Sequence, residues 1–127
     1  MWYLYLLYHT ASNHTYIGVT KDVWWRLQQH RGERYGGAKA TTRMNSRYPD
    51  CQWELVCFLE GFDNRSLVCT WEKLLQRRTR GIRSREKAMH ALGKGEYPDS
   101  FPEETCKKYE MPTLELEVVN GQVILSK

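Results

Sequence analysis

From Trp2 to Tyr8 the chain reads Trp-Tyr-Leu-Tyr-Leu-Leu-Tyr, an unbroken run of aromatic and branched apolar side chains. Such a run is strand-prone, and a strand sends alternate side chains to opposite faces. Tyr3, Tyr5 and Leu7 therefore share one face, and Leu4, Leu6 and Tyr8 the other. Both faces are largely apolar, so both must be covered, and the strand belongs in the middle of a sheet with material packed on each side. The polar stretch His9-Thr-Ala-Ser-Asn-His14 has turn chemistry, and Thr15 to Val19 is strand-prone again. The two runs are thus predicted to form a hairpin.

The second run leads out through Gly18 into a predicted helix over about Lys21 to His30, started at Thr20 or Asp22 and stopped near Gly32. Val23, Leu27 and one or both of Trp24 and Trp25 form its expected apolar side. Arg26 and His30 stand four apart, so a fixed cation and a titratable ring share one helical face. With Tyr5 and Tyr16 on the preceding strands, two phenols, a guanidinium and an imidazole can converge. Arg31 to Arg43 reads as too irregular to be an element. Amides freed by Gly36 and Gly37, beside Lys39, Thr41, Thr42 and Arg43, suit a phosphate cradle; a flexible surface loop is the alternative.

Gln52 to Glu60 reads as a third strand ended by Gly61. Asp63, Asn64 or Ser66 can cap a helix over about Arg65 to Arg78, with Leu67, Trp71, Leu74 and Leu75 as its buried stripe and Glu72 beside it. Arg77, Arg78, Arg80, Arg83 and Arg85 exceed what complementing a helix dipole requires and point to nucleic-acid contact. A short helix over about Ser84 to Leu92 follows. Beyond Glu96, prolines punctuate an acidic segment, and Leu114–Val119 and Val123–Leu125 flank Asn120-Gly121, a strong hairpin signal. That hairpin can join the main sheet, pack separately or pair between chains.

Charge divides the chain along the same line. Residues 1–95 carry 16 Lys and Arg against 8 Asp and Glu, a net +8, whereas residues 96–127 carry 3 against 7, a net −4. A domain over 1–95 and an acidic extension over 96–127 are expected. The basic part suits a polyanion, and the extension could screen it or make a homodimer or protein-partner contact. The four cysteines show neither CxxC pairing nor zinc spacing, which excludes a zinc ribbon and predicts free thiols in a reducing compartment. No apolar run is long enough for a bilayer, so no membrane partner is expected. Trp2–Tyr8 lacks the basic flank and cleavage site of a signal peptide. An intracellular location, cytoplasm or nucleus, is therefore expected rather than secretion.

Taken together, Tyr3-Leu4-Tyr5, Tyr16-Ile17-Gly18, Arg26, His30, the Gly36-Gly37-Ala38-Lys39 loop and Glu72 resemble, in order and spacing, the GIY-YIG nucleases. The likeness is closest to their small single-domain members and to the nuclease domain of the catalytic subunit of eukaryotic structure-specific endonucleases. Tyr3 stands where the first motif usually has glycine. The resemblance implies an α+β fold, with a small, mainly antiparallel three-stranded central sheet flanked by helices, here with a C-terminal β-hairpin. It implies a metal-dependent DNA endonuclease hydrolysing phosphodiester bonds in branched or distorted DNA, of repair or recombination type. Alternatives are a non-catalytic nucleic-acid-binding module of the same fold and a restriction or homing nuclease. By this resemblance Glu72 holds one divalent ion, Mg²⁺ or else Mn²⁺. Arg26 is the donor to the phosphate, whose oxygens its planar fork fits. Tyr5 is the candidate general base, with Tyr16 and His30 tuning or sharing its proton. Lys39, Thr41, Thr42, Arg43, Arg77, Arg78 and Arg80 are the candidate nucleic-acid contacts.

Overall fold

The computed structural model describes residues 1–120 and places the strand β1, Trp2–His9, inside an antiparallel sheet. Its neighbours are β2 (His14–Thr20) on one side and β3 (Glu54–Phe62) on the other, and β4 (Glu115–Val118) lies outside β3, giving the order β2-β1-β3-β4. The register sets Tyr5 opposite Gly18 and Phe58, and Leu6 opposite Ile17 and Cys57. Among the described residues five helices follow the chain order: α1 (Val23–His30), α2 (Lys39–Arg47), α3 (Arg65–Arg78), α4 (Gly81–Gly93) and α5 (Glu103–Lys108). None of them is long and apolar enough to cross a membrane.

The two faces of β1 feed two separate cores, as its alternation predicts. Leu4 and Leu6 join Ile17, Val56, Val68, Trp71, Leu75 and Met89 beneath α3 and α4. Tyr5 and Leu7 join Val23, Leu27, Met44, Trp53 and Leu55 beneath α1 and α2. Side-chain caps fix where two of the helices begin. Asp22 accepts from the Trp25 amide at 3.0 Å to start α1, and Asn64 accepts from the Leu67 amide at 2.8 Å to start α3. All four cysteines are free.

The structure departs from the sequence reading at several points. Lys39–Arg47 is a helix, not irregular chain: Thr41 and Met44, three apart, form a narrow buried stripe that its surrounding polar residues obscure. Gly61 lies within β3 instead of ending it. There φ is +121°, and a Cβ would come 2.5 Å from the Thr113 carbonyl oxygen, so glycine lets the returning chain pass. Val68 replaces Leu67 in the fully buried stripe of α3, α4 begins at Gly81, and α5 is additional. Trp24 and Trp25 stay 54% and 47% exposed, leaving Val23 and Leu27 as the buried side of α1. Pairing of Glu115–Val118 with β3 adds a fourth strand to the expected three, so the first arm of the predicted C-terminal hairpin joins the main sheet, one of the arrangements the sequence left open. Gly121 and the second arm, Val123–Leu125, lie outside the described residues.

Residues beyond 96 return to the core that holds α3. Phe101 and Leu114 are buried in it, and Trp71 stacks on Phe101 with centroids 6.1 Å apart and planes 14° apart. Tyr97 packs on the same tryptophan at 6.4 Å and donates its hydroxyl to the Tyr109 carbonyl at 2.6 Å. Glu72 is the next residue along, so this aromatic stack sets the height at which α3 presents it. Phe101→Ala is expected to cost about 3 to 5 kcal/mol through lost burial and the cavity left behind. Urea unfolding of the purified chain measures this, and a shift below about 1 kcal/mol would show that the stack is not structural.

Candidate active site

Tyr5 faces the core of α1 and α2, and its phenol lies under β2 at Gly18. A Cβ at Gly18 would collide with the Tyr5 hydroxyl, so only glycine leaves room for that ring. The hydroxyl lies 2.7 Å from His30 Nε2, and His30 Nδ1 lies 2.7 Å from Thr41 Oγ1. Thr41 spends its single proton on the Ala38 carbonyl at 2.9 Å, so it must accept from His30. The network assigns the direction of the chain: Tyr5 O–H donates to Nε2, Nδ1–H donates to Thr41, and Thr41 donates to Ala38. Each imidazole nitrogen thereby has one partner.

Electrostatics agree with that neutral ring. His30 is completely buried, and burial, followed by the charge of Arg26, lowers it to about 4. Burial likewise pushes the Tyr5 phenol well above its ordinary range; Tyr16 adds to the rise and Arg26 opposes it. Cationic charge opposes that rise, and it is what the sequence reading of Tyr5 as a general base requires. Tyr16 is only half buried, and its ring lies 6.2 Å from Tyr5 and 4.8 Å from His30.

Arg26 lies at the open side of this group. Its Nη1 donates to Gln29 Oε1 and to the Gly36 carbonyl, both at 2.8 Å, and the guanidinium also donates to the Tyr5 hydroxyl, which leaves its remaining N–H groups for a ligand. Glu72 arrives from the opposite face of the sheet. One turn further along α3, Gln76 Nε2 donates to the Ile17 carbonyl at 3.2 Å and ties the helix to β2. The Glu72 carboxylate is close enough for its charge to raise Tyr5, and its own proton affinity is raised by burial, with Lys73 opposing. Tyr5, Tyr16 and His30 are thus in direct contact, with Arg26 beside them, and Glu72 is linked to the group by its charge on Tyr5.

The expected phosphate cradle divides. Thr41, at 0% exposure with its hydroxyl on His30, is closed to any phosphate and acts as the backstop of the imidazole. Thr42 returns its hydroxyl to the Ala38 carbonyl of its own helix at 3.0 Å, whereas Lys39 and Arg43 are exposed on α2. Arg77, Arg78 and Arg80 are exposed around the α3–α4 junction, and no ion pair among the described residues engages them. Arg85 differs from them, being partly buried and tied by Nη1 to Thr15 Oγ1 at 2.7 Å. Sequence reasoning missed the roles of Gln29, which holds Arg26, and of Asn45, whose Nδ2 caps the His30 carbonyl at 2.7 Å. The i,i+3 spacing of Arg26 and Gln29 on α1 could have signalled the first contact, whereas the second depends on how α2 returns against α1.

A hard divalent ion fits the chemistry of Glu72: a partly buried oxygen donor that no salt bridge among the described residues neutralises. No cluster of three His, Cys, Asp or Glu stands ready beside it among those residues. A seat of this kind leaves most coordination positions to water and substrate.

Residues 1–87 match the family model for the GIY-YIG catalytic domain. The structure-specific endonuclease subunit SLX1 of Paracoccidioides lutzii is 46% identical over 57 residues, which are 45% of this chain and 12% of that protein. The subunit of the same name from Schizosaccharomyces japonicus is 36% identical over 74 residues, 58% of this chain and 25% of that one. The one from Pyrenophora tritici-repentis is 31% identical over 113 residues, 89% of this chain and 30% of that one. The chain thus spans less than a third of the length of these curated relatives.

The neutral histidine has a measurable consequence. An unfolded histidine titrates near 6.5, whereas His30 folded titrates at about 4. Between those values the unfolded chain binds a proton that the folded chain does not, so stability falls as pH drops through that window. The loss reaches ~3 kcal/mol at its lower end, and above pH 6.5 the group contributes no pH dependence. His9 and His90 are also lowered by burial, so the comparison is wild type against His30→Gln in urea unfolding at several pH values. The variant is expected to lose less stability on acidification; parallel curves would refute the neutral His30.

Proposed function

The chain belongs to the GIY-YIG nuclease family, and from that premise we propose that it is a metal-dependent DNA endonuclease hydrolysing phosphodiester bonds in branched or otherwise structured DNA. What supports this reading is the contact of Tyr5, Tyr16 and His30 beside Arg26, together with a carboxylate, Glu72, on the helix that Gln76 ties to β2. The substrate class is supported by the relatives, which are named structure-specific endonuclease subunits, and by the +8 charge of residues 1–95.

Each side chain then has a task set by its surroundings. Arg26, anchored by Gln29, Gly36 and Tyr5, offers its remaining N–H groups to the non-bridging oxygens of the scissile phosphate as charge-assisted donors. Its neighbours limit the side chain to one place, so little reorganisation is needed as charge develops. Tyr16 is the phenol open to water and takes the proton of the attacking molecule, in the same cluster as the Arg26 cation. Tyr5 is a positioning residue: it packs against Tyr16, and its own proton is held on His30, itself fixed by Thr41. Glu72 would hold Mg²⁺, or Mn²⁺ in its place. When bound, such an ion supplies Lewis-acid polarisation of the phosphate and stabilises the leaving oxygen. Lys39, Arg43, Arg77, Arg78 and Arg80 contact the flanking backbone, where point charges supply affinity without sequence preference.

Labelled flaps, junctions and plain duplex incubated with Mg²⁺, beside EDTA controls, test the reading. Metal-dependent cutting of the structured substrates is expected; binding with no cutting on any of them would make the chain a nucleic-acid-binding module. Arg26→Ala, Glu72→Gln and Tyr16→Phe are each expected to slow cutting at least about a hundredfold, the scale of losing one preorganised electrostatic element, while binding persists. Tyr5→Phe should cost less than Tyr16→Phe. Near wild-type rates in the first three would overturn these assignments.

A further inference from the structure

Beside Arg26, the turn from Arg31 to Ala38 is fastened to α1 by three consecutive attachments. Arg34 Nε donates to Gln28 Oε1, Gln29 Nε2 donates to the Tyr35 carbonyl at 3.0 Å, and Arg26 Nη1 donates to the Gly36 carbonyl at 2.8 Å. Gly37 closes the arrangement, since a Cβ there would strike the Gln29 carbonyl. On this fixed backbone the side chains face outwards. The Arg34 guanidinium lies over Trp25, 3.8 Å from the ring centroid, and Tyr35 is 100% exposed. The Trp25 ring is itself nearly half exposed. Between Gln29, Arg34, Tyr35, Gly36 and Thr42 is a hollow of about 520 Å³, within the size range of small-ligand sites.

Core packing does not require an indole and a phenol in solvent at these positions, and a flexible loop would not be pinned at three successive residues. We infer that Trp25, Arg34 and Tyr35 form a stacking platform that receives an unpaired base of the DNA next to the scissile phosphate. Charge decides the class of occupant. From Lys21 to Arg47 the chain carries seven Lys and Arg against two acids, Asp22 and Glu33, which suits a polyanion and repels a basic peptide. Aromatic rings with an arginine plane among cations are the combination that grips single strands without reading sequence, because every base has a π-face. Arg26 sets the register. The side chain assigned to the scissile phosphate also anchors the platform's backbone at Gly36, so the stacked base belongs to a nucleotide close to the cut.

This inference rests on the proposed DNA cleavage, yet it is tested without cutting. In EDTA, the intact chain is titrated with a duplex bearing a single-stranded overhang that contains 2-aminopurine, and with the same duplex fully paired. The wild type is expected to change the 2-aminopurine emission on the overhang. Trp25→Ala or Tyr35→Ala should weaken overhang binding about five- to a hundredfold and abolish the emission change. Binding of the paired duplex should move less than twofold, and Tyr35→Phe should behave as wild type. Equal losses on both substrates, or no loss on either, would overturn the platform. So would a self-association of the chain that these substitutions abolish while DNA binding stays unchanged. A chain that cuts structured DNA but ignores Trp25 and Tyr35 refutes the platform alone; one that stacks the overhang but never cuts refutes the nuclease reading alone.

Discussion

Burial of β1 from both sides is the constraint on which the remaining architecture depends. Leu4 and Leu6 commit one face to α3 and α4, while Tyr5 and Leu7 commit the other to α1 and α2. The sheet thereby becomes a partition with a different cargo on each side. The tyrosines, Arg26 and His30 belong to one layer, and Glu72 is carried by a helix of the other. Between them stands the edge strand β2, which Gly18 thins where the Tyr5 ring passes beneath and to which Gln76 ties α3 at Ile17.

Within the tyrosine layer the buried polar chain works as a locking device. A histidine sealed from water would ordinarily be a liability, but here both ring nitrogens have partners and the ring is held neutral. Its direction is fixed by a group as modest as the Ala38 carbonyl, through the one proton of Thr41. The result is a Tyr5 ring with no rotational freedom at the hydroxyl, against which the more open Tyr16 can rest.

Much of this was legible in the residues themselves. The alternation of Trp2–Tyr8 predicted a central strand, the cap at Asn64 and the apolar spacing through Trp71 and Leu75 gave α3 its range, and the Arg26–His30 spacing put both groups on one side of α1. What escaped was whatever depends on contacts between segments far apart in the chain. Lys39–Arg47 looks polar, because its helix needs only Thr41 and Met44 inside, and the Thr41 hydroxyl was read as a phosphate ligand for want of knowing that His30 lies behind it. Gly61 looked like a terminator, since nothing local announces the Thr113 carbonyl it must let pass. One or both of Trp24 and Trp25 were assigned to the apolar side of α1, yet both are exposed, because hydrophobicity alone does not distinguish a packing ring from a surface ring.

The stack of Trp71 on Tyr97 and Phe101 bears on where this unit can be divided. The span shared with the family model ends at residue 87 and contains every chemical group of the site, yet it leaves out both rings that press on the residue before Glu72. An excised fragment or a chimaera joined near that point would inherit the reactive inventory without the ballast that levels it. The minimum transplantable piece is therefore defined by an aromatic counterweight rather than by the last reactive side chain.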